Sequence, residues 1–296
     1  MSTELFDLDG APLATYVIEP QLDIRLGPRP YLHPVRTLSG TTVTDALCQD
    51  HPWHLGASLA LQDVNGVNFW GGRTYVRDQG YTWLDDHGRI VPSDARADPS
   101  LGAGRQLSVP SLATGQQLSV PSAGAGRQLF SWQDQHGTTL LTERRELTAG
   151  LAPGGWQLTF RYALSAPAEH PVTLGSPATN GRPGGAGYGG FFWRAAPAPG
   201  ETLTFTQSRM GEHAVNGSAE PWLALRAGEA YTLVFQGLRN NDRWFVRTAD
   251  YPGVCAALAF DRPLTLPAGA TLDREIKVLI SDDATLEPDD IAKLLA

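Results

Sequence analysis

Residues 129–165 read LFSWQDQHGTTLLTERRELTAGLAPGGWQLTFRYALS. The last ten, Trp156–Ser165, alternate apolar and polar side chains except at Ala163. A period of two places successive side chains on opposite faces of a strand, so this segment is a strand with one buried face. Before it, LFSWQD and TLLTERRELTA flank the turn residues QHGT, the pattern of a long hairpin. Alternation there puts Glu143 and Arg145 on one face and Arg144 and Glu146 on the other.

The pattern continues on both sides. Thr15–Pro20, Leu22–Leu26, Tyr31–Arg36, Thr41–Thr44, Leu55–Leu61 and Val67–Trp70 read as strands, as do Thr202–Gln207, Trp222–Leu225, Tyr231–Gln236, Trp244–Thr248, Ala256–Phe260 and Leu272–Ile280. Turn signals such as GPRP (27–30), DVNG (63–66) and DDHG (85–88) separate them. The 32 glycines and 22 prolines suit a chain with many turns. Only Glu287–Ala296 reads as a helix, with Pro288 near its start and acids in its first turn. The expectation is an all-β protein: a large antiparallel β-sandwich of the galactose-mutarotase supersandwich kind, with a short C-terminal helix.

A chain of 296 residues exceeds one average domain, but β-sandwiches often run to roughly 200–250 residues as a single unit. One domain over 1–296 is expected. It carries a loop or hairpin insertion at about 92–128, where GRQLSVPS (104–111) recurs as GQQLSVPS (115–122) and GRQL returns at 126–129. Too few copies are present for a solenoid, so a tandem duplication in a loop is the better reading.

The net charge of −8 and the lack of a basic run disfavour nucleic acid and anionic membranes as partners. No apolar run nears the roughly 20 residues of a membrane span. The acidic start, MSTELFDLDG, lacks the apolar segment of a secretion signal, so a cytoplasmic location is expected. Cys48 and Cys255 have no CxxC spacing and read as separate reduced thiols, Cys48 beside the candidate site. Composition says nothing about oligomeric state.

Candidate chemistry gathers in Tyr31–Tyr81. HPVR supplies His33 and Arg36, and DHPWH supplies Asp50, His51, Trp53 and His54. His51 and His54 fall on opposite faces of a strand but converge in a turn, which Pro52 favours. With His33 they make three imidazoles able to hold one divalent metal ion with an open position. The same three can instead serve as proton-transfer groups, or be satisfied by backbone in a turn. Asp50 is placed to orient an imidazole. Glu143 is either a general base or half of a cross-strand ion pair. Asn65, Asn68, Trp70, Tyr188, Trp193, Trp222, Trp244 and Tyr251 suit carbohydrate, with Arg36, Arg194 and Arg247 as partners for hydroxyls or a carboxylate. Any single Trp among them is also an ordinary core residue. The glycine-rich NGRPGGAGYGG (180–190) lacks a P-loop lysine and lets backbone approach a ligand or a neighbouring strand.

HPVR, DHPWH, DVNGVNFWGG, TERRE, GYGGFFWR (187–194), EPW (220–222) and WFVRTADYPG (244–253) together resemble a bacterial family labelled PmoA-like, across most of the chain outside the repeat. The label comes from a membrane methane monooxygenase subunit, which this chain, lacking a spanning segment, does not resemble. The resemblance implies an occurrence beside sugar oxidoreductases, hence sugar catabolism. Members often carry histidine where this chain has Trp53, which removes one ligand from a metal reading.

The leading functional expectation is a carbohydrate-active enzyme doing acid/base chemistry on a sugar or keto-sugar: an epimerase, a lyase or a glycoside-cleaving enzyme. His51, His54, His33 and Glu143 are its candidate catalytic groups. Arg36, Asn68, Trp70, Tyr188, Arg194, Arg247 and Tyr251 are its candidate substrate contacts. The alternatives are a non-catalytic sugar-binding protein and a metal-dependent hydrolase or oxygenase using His33, His51 and His54.

Overall fold

The computed structural model describes residues 2–8, 11–93, 118–119 and 127–296. Most of the repeat-bearing segment expected at 92–128 lies outside the described residues.

Two eight-stranded antiparallel sheets form the architecture. The first runs, in spatial order, Arg243–Arg247, Gly253–Ala257, Gly190–Arg194, Ala57–Ala60, Tyr31–Val35, Ala11–Val17, Ser2–Leu8 and Leu118–Ser119. The second runs Thr202–Phe205, Trp222–Ala227, Tyr231–Gln236, Thr271–Ser281, Gly155–Ser165, Thr139–Ala152, Gln128–Gln133 and Arg89–Pro92. The chain is thus an all-β antiparallel sandwich on the supersandwich scale, ending in the expected short helix, Pro288–Leu295.

The alternation read from 156–165 fixes the packing. Trp156, Leu158, Phe160, Tyr162 and Leu164 all enter the core between the sheets. They meet Leu59, Phe191, Trp193, Trp244, Val246 and Val254 from the first sheet. The indoles in this core find acceptors, as a desolvated N–H requires. Trp156 donates to the Arg36 carbonyl at 2.9 Å, Trp193 to the Val43 carbonyl at 3.0 Å, and Trp244 to the Glu220 carbonyl at 2.8 Å.

Glu143 and Arg145 do share a face, and it is the inner one. Arg145 Nε reaches Glu143 Oε1 at 2.6 Å, and Trp132 Nε1 donates to Glu143 Oε2 at 2.9 Å. Arg145 also donates to the Tyr16 hydroxyl at 3.0 Å and lies over the rings of Phe130 and Phe160. The pair therefore runs along one strand rather than across two. It is sealed in the core, and burial pushes the Tyr16 hydroxyl up to about 12.

Several local expectations fail: Thr41–Thr44 forms only isolated bridges, and the strand expected at Ala256–Phe260 ends at Ala257. Leu22–Leu26 is not a strand: Asp23 accepts from the Arg25 backbone N–H and caps a 3-10 turn over Ile24–Leu26. Val67–Trp70 is a loop, because Asn68 redirects its backbone as described below.

The outer faces of the two sheets differ. On the second, Ile291 of the C-terminal helix packs with Phe205, Trp222, Val234 and Leu279. On the first, Trp70, Phe192, Phe245 and Cys255 form an apolar patch ringed by Trp53, Tyr188 and Tyr251. Loops rather than a helix cover that patch, and the candidate site lies among them.

Candidate functional site

Asp50–His54 turns over the outer face of the first sheet. His54 N–H donates to the His51 carbonyl at 2.9 Å, closing a turn with Pro52 in its second position, where a fixed φ is favoured. This turn is why two histidines three residues apart converge. Their rings stack at 4.7 Å between centroids with 9° between planes.

Below them, Arg194 organises the charges. It leaves the strand Gly190–Arg194 on the same face as Phe192. One guanidinium nitrogen donates to both Asp50 carboxylate oxygens, at 3.1 and 3.0 Å, and the other meets His54 Nδ1 at 3.1 Å. Arginine has only donors, so His54 Nδ1 must be the acceptor and its proton sits on Nε2. Burial, reinforced by the charges of His51 and Arg194, holds the His54 pKa well below 6.5, so His54 is neutral. It is 1% exposed, and only an edge reaches the pocket.

His51 is different: 32% of its side chain is exposed. Its Nδ1 lies 2.9 Å from Asp50 Oδ2. Partial burial pushes Asp50 up, but hydrogen bonds from His51 and Arg194 outweigh it and hold the carboxyl at about 2. An ionised Asp50 accepts from Nδ1–H, which leaves Nε2 as the ring nitrogen open to the pocket.

Two devices hold the loops around this pair. Asn68 accepts from the Trp70 and Gly71 N–H groups, both at 2.9 Å, and donates to Thr74 Oγ1 at 3.0 Å. That turn brings the bare backbone of Gly71 and Gly72 against Trp53. A Cβ on Gly72 would lie 2.6 Å from the indole, and its φ of +73° disfavours any other residue. The second device is Arg29, fully buried with no carboxylate partner. It donates to the Gly27 carbonyl at 2.9 Å, the Trp70 and Trp53 carbonyls at 3.0 Å each, and Ser58 Oγ at 3.1 Å. Burial pulls its pKa down to about 9.

These loops enclose a pocket of about 500 Å³, within the roughly 300–1,000 Å³ of small-molecule sites. His51 and Trp53 line one side, with Trp70, Tyr188, Phe245 and Tyr251 beneath. Arg73, Tyr81, Trp83 and Arg182 complete the lining, with the Trp83 ring 6.4 Å from that of Trp53. Tyr81 and Tyr188 share a hydroxyl–hydroxyl bond at 3.0 Å, and Arg182 donates to the Tyr81 oxygen. Arg247 lies over Phe245 and 3.5 Å from Glu212.

Of the residues singled out in the sequence, His51, His54, Trp70, Tyr188, Arg247 and Tyr251 line this pocket, and Arg194 supports it from below. The others are corrected. Glu143 lies in the core between the sheets. Asn68 has its side chain committed to the backbone turn. Arg36 does not line the pocket, and its carbonyl is taken by Trp156. Trp193 and Trp244 are core residues, Trp222 lies under the C-terminal helix, and Asn65 caps an exposed turn by accepting from Thr173 N–H at 2.8 Å. Cys48 is buried, and burial pushes its thiol up to about 12.

His33 bonds Thr44 Oγ1 at 3.0 Å and stands apart from the pocket. The three-histidine metal site does not form. Imidazole lone pairs lie in the ring plane, so stacked, parallel rings cannot converge on one ion about 2 Å away. His54 Nδ1 also faces a guanidinium. Among the described residues no group of three His, Cys, Asp or Glu side chains could hold a metal.

Arg29, Tyr81, Trp83 and Arg182 were missed. YTWL offered a signal, since alternation places Tyr81 and Trp83 on one side. So did Arg182, the lone charge in its glycine-rich loop.

The structure thus defines an antiparallel β-sandwich with a polar–aromatic pocket on the outer face of one sheet. The chain belongs to a family of unknown function, DUF6807, whose model matches residues 5–296. That match overturns the resemblance to the PmoA-like family, and the link to sugar oxidoreductases that it implied goes with it. No curated protein matches the chain. Two solved structures are similar to it at a low level. One is the alpha-galactosidase from Lactobacillus brevis, with TM-score 0.33 and 11% identity, covering 82% of this chain and 31% of that one. The other is described as a candidate kojibiose phosphorylase from the human microbiome, with TM-score 0.32 and 8% identity, covering 100% of this chain and 32% of that one. The chain therefore spans about a third of the length of either. Among the described residues, no helix is long and apolar enough to cross a membrane.

Proposed function

We infer that the pocket binds a carbohydrate and that His51 moves a proton at a carbon or oxygen of a sugar or keto-sugar. The observation that carries this reading is the exposed His51, its Nδ1 held 2.9 Å from an ionised Asp50, beside a wall of aromatic rings. A carboxylate behind an imidazole fixes the tautomer and stabilises the protonated ring, so Nε2 is set to take and return a proton. Indole and phenol faces suit the C–H surface of a pyranose, while guanidiniums suit its hydroxyls.

His54 is a positioning residue in this scheme. It is neutral and buried, and it fixes the plane of His51 by stacking. With one free imidazole rather than two, the pocket also fits a non-catalytic sugar-binding protein, and the test separates the two.

Sugars and keto-sugars are incubated with the protein in D₂O, C–H exchange is followed by NMR, and affinity by calorimetry. Wild type is expected to catalyse exchange, and His51→Ala to lose about 10²–10⁴-fold of it with affinity nearly kept. Binding without exchange in wild type means a binding protein. No binding of any sugar overturns the reading.

A further inference from the structure

We propose that the sugar taken by this pocket is an acid: a uronic or aldonic acid whose single carboxylate is read by Arg73, Arg182 and Arg247. This rests on the carbohydrate reading above and narrows it.

The argument is one of charge. The chain carries a net −8, yet three guanidiniums face one pocket. Asp50 is matched by Arg194 below it. Glu212, at 3.5 Å, offsets Arg247, and Asp250 stands at the rim. Among the groups that line the pocket one positive charge remains, and Arg29, buried without a carboxylate behind the Trp53 and Trp70 loops, adds to it. A neutral sugar would leave this excess unanswered, whereas the carboxylate of an acid sugar answers it.

The donors are available. Arg182 spends one N–H on the Tyr81 oxygen, and Arg247 spends one on its neighbour's carbonyl at 2.8 Å. Arg73 is exposed and approaches only the face of Trp83, at 5.9 Å. Guanidinium keeps five N–H groups in a planar fork suited to a carboxylate, so each retains free donors.

The placement also serves His51. When its Nε2 takes the proton from the carbon next to the carboxylate, the C–H electron pair moves into the bond to the carboxyl carbon. The added charge falls on the carboxylate oxygens, where the arginines hold it. Return of a proton to that carbon restores the acid or gives its epimer, so atoms and charge balance without a co-reactant.

The test is calorimetric binding of D-galacturonate, D-glucuronate and D-gluconate against D-galactose and D-glucose, and against the two hexose 6-phosphates. The acids are expected to bind about 10-fold or more tighter than the neutral sugars, the worth of a charged hydrogen bond. Arg182→Gln and Arg73→Gln should each erase that preference by weakening acid binding more than neutral-sugar binding. Arg73 is exposed, so its variant does not depend on the fold tolerating the change.

Equal binding of acids and neutral sugars overturns this proposal and leaves the carbohydrate reading standing. Tighter binding of the phosphates overturns the carboxylate assignment. Acid preference that survives both substitutions overturns the role of the arginines. Binding of no sugar overturns the carbohydrate reading and this proposal together.

Discussion

The outer faces of the two sheets begin alike and end differently. Each carries an apolar patch built from alternate residues of the strands at one end of its sheet. On the second sheet, Phe205, Trp222 and Leu279 are capped by Ile291, whose helix starts with Pro288 and a Glu287–Asp290 capping box. On the first, Phe192, Phe245 and Cys255 are capped by turns whose backbone groups need individual partners, supplied by Arg29 and Asn68. A helix satisfies its own backbone and can seal a face with hydrocarbon alone. Loops cannot. Covering a sheet with loops brings polar side chains to an apolar face, and on this sheet that produces a pocket.

If the contrast is right, the two faces break differently. The largest effect is expected at Arg29. Arg29→Met removes four hydrogen bonds from a charged donor, each worth about 1.5–3 kcal/mol, against a desolvation relief of several kcal/mol. A net loss of about 3 kcal/mol in denaturant unfolding is expected, with sugar binding lost as Trp53 and Trp70 come loose. Unchanged stability and binding would mean that the loops hold themselves.

Next comes Ile291→Ala. A buried Ile→Ala costs about 2–5 kcal/mol, and a terminal helix that can shift inward belongs near the bottom, at about 2 kcal/mol. Ligand affinity should not move. If it does, the two faces are coupled through the core and the contrast is wrong.

The smallest effect is a pH slope. His54 and His33 both have pKa values lowered by burial. Below about pH 6.5 the unfolded chain takes up these protons and the folded chain does not, so stability falls as pH falls. The slope is up to about 1.4 kcal/mol per pH unit for each histidine. Asp50 adds to this only in stronger acid: its stabilisation is present above its unfolded pKa and is lost as pH falls through about 2. His54→Gln should flatten the slope in urea titrations between about pH 5 and 6.5, whereas Ile291→Ala should leave it alone. An unchanged slope in His54→Gln would place the titrating group elsewhere.

The sheets were legible in the sequence because alternation is local. WQLTFRYALS alone predicts which side chains enter the core, and the same rule sends Phe192 with Arg194, and Phe245 with Arg247, to the outer face. The His51–His54 convergence was legible only as a possibility of Pro52. Alternation put Glu143 and Arg145 on one face but could not say that this face was inward, so a core ion pair read equally well as a catalytic carboxylate. Arg29 was least legible. In GPRP it looks like a turn residue, and nothing nearby in sequence shows that its partners are carbonyls at residues 53 and 70. Contacts that depend on distant backbone leave no local pattern, and the site consists mainly of such contacts.

Arg29 also orders events in time. Its partners lie 2, 24, 29 and 41 residues away along the chain, so its fork closes only after three separate stretches, 27–29, 53–58 and the one at 70, have met. Each closure costs chain entropy before any bond returns it. The pocket is therefore complete only once these stretches have met. Whatever binds there selects the completed protein, and acts as a brace on the same loops that admit it.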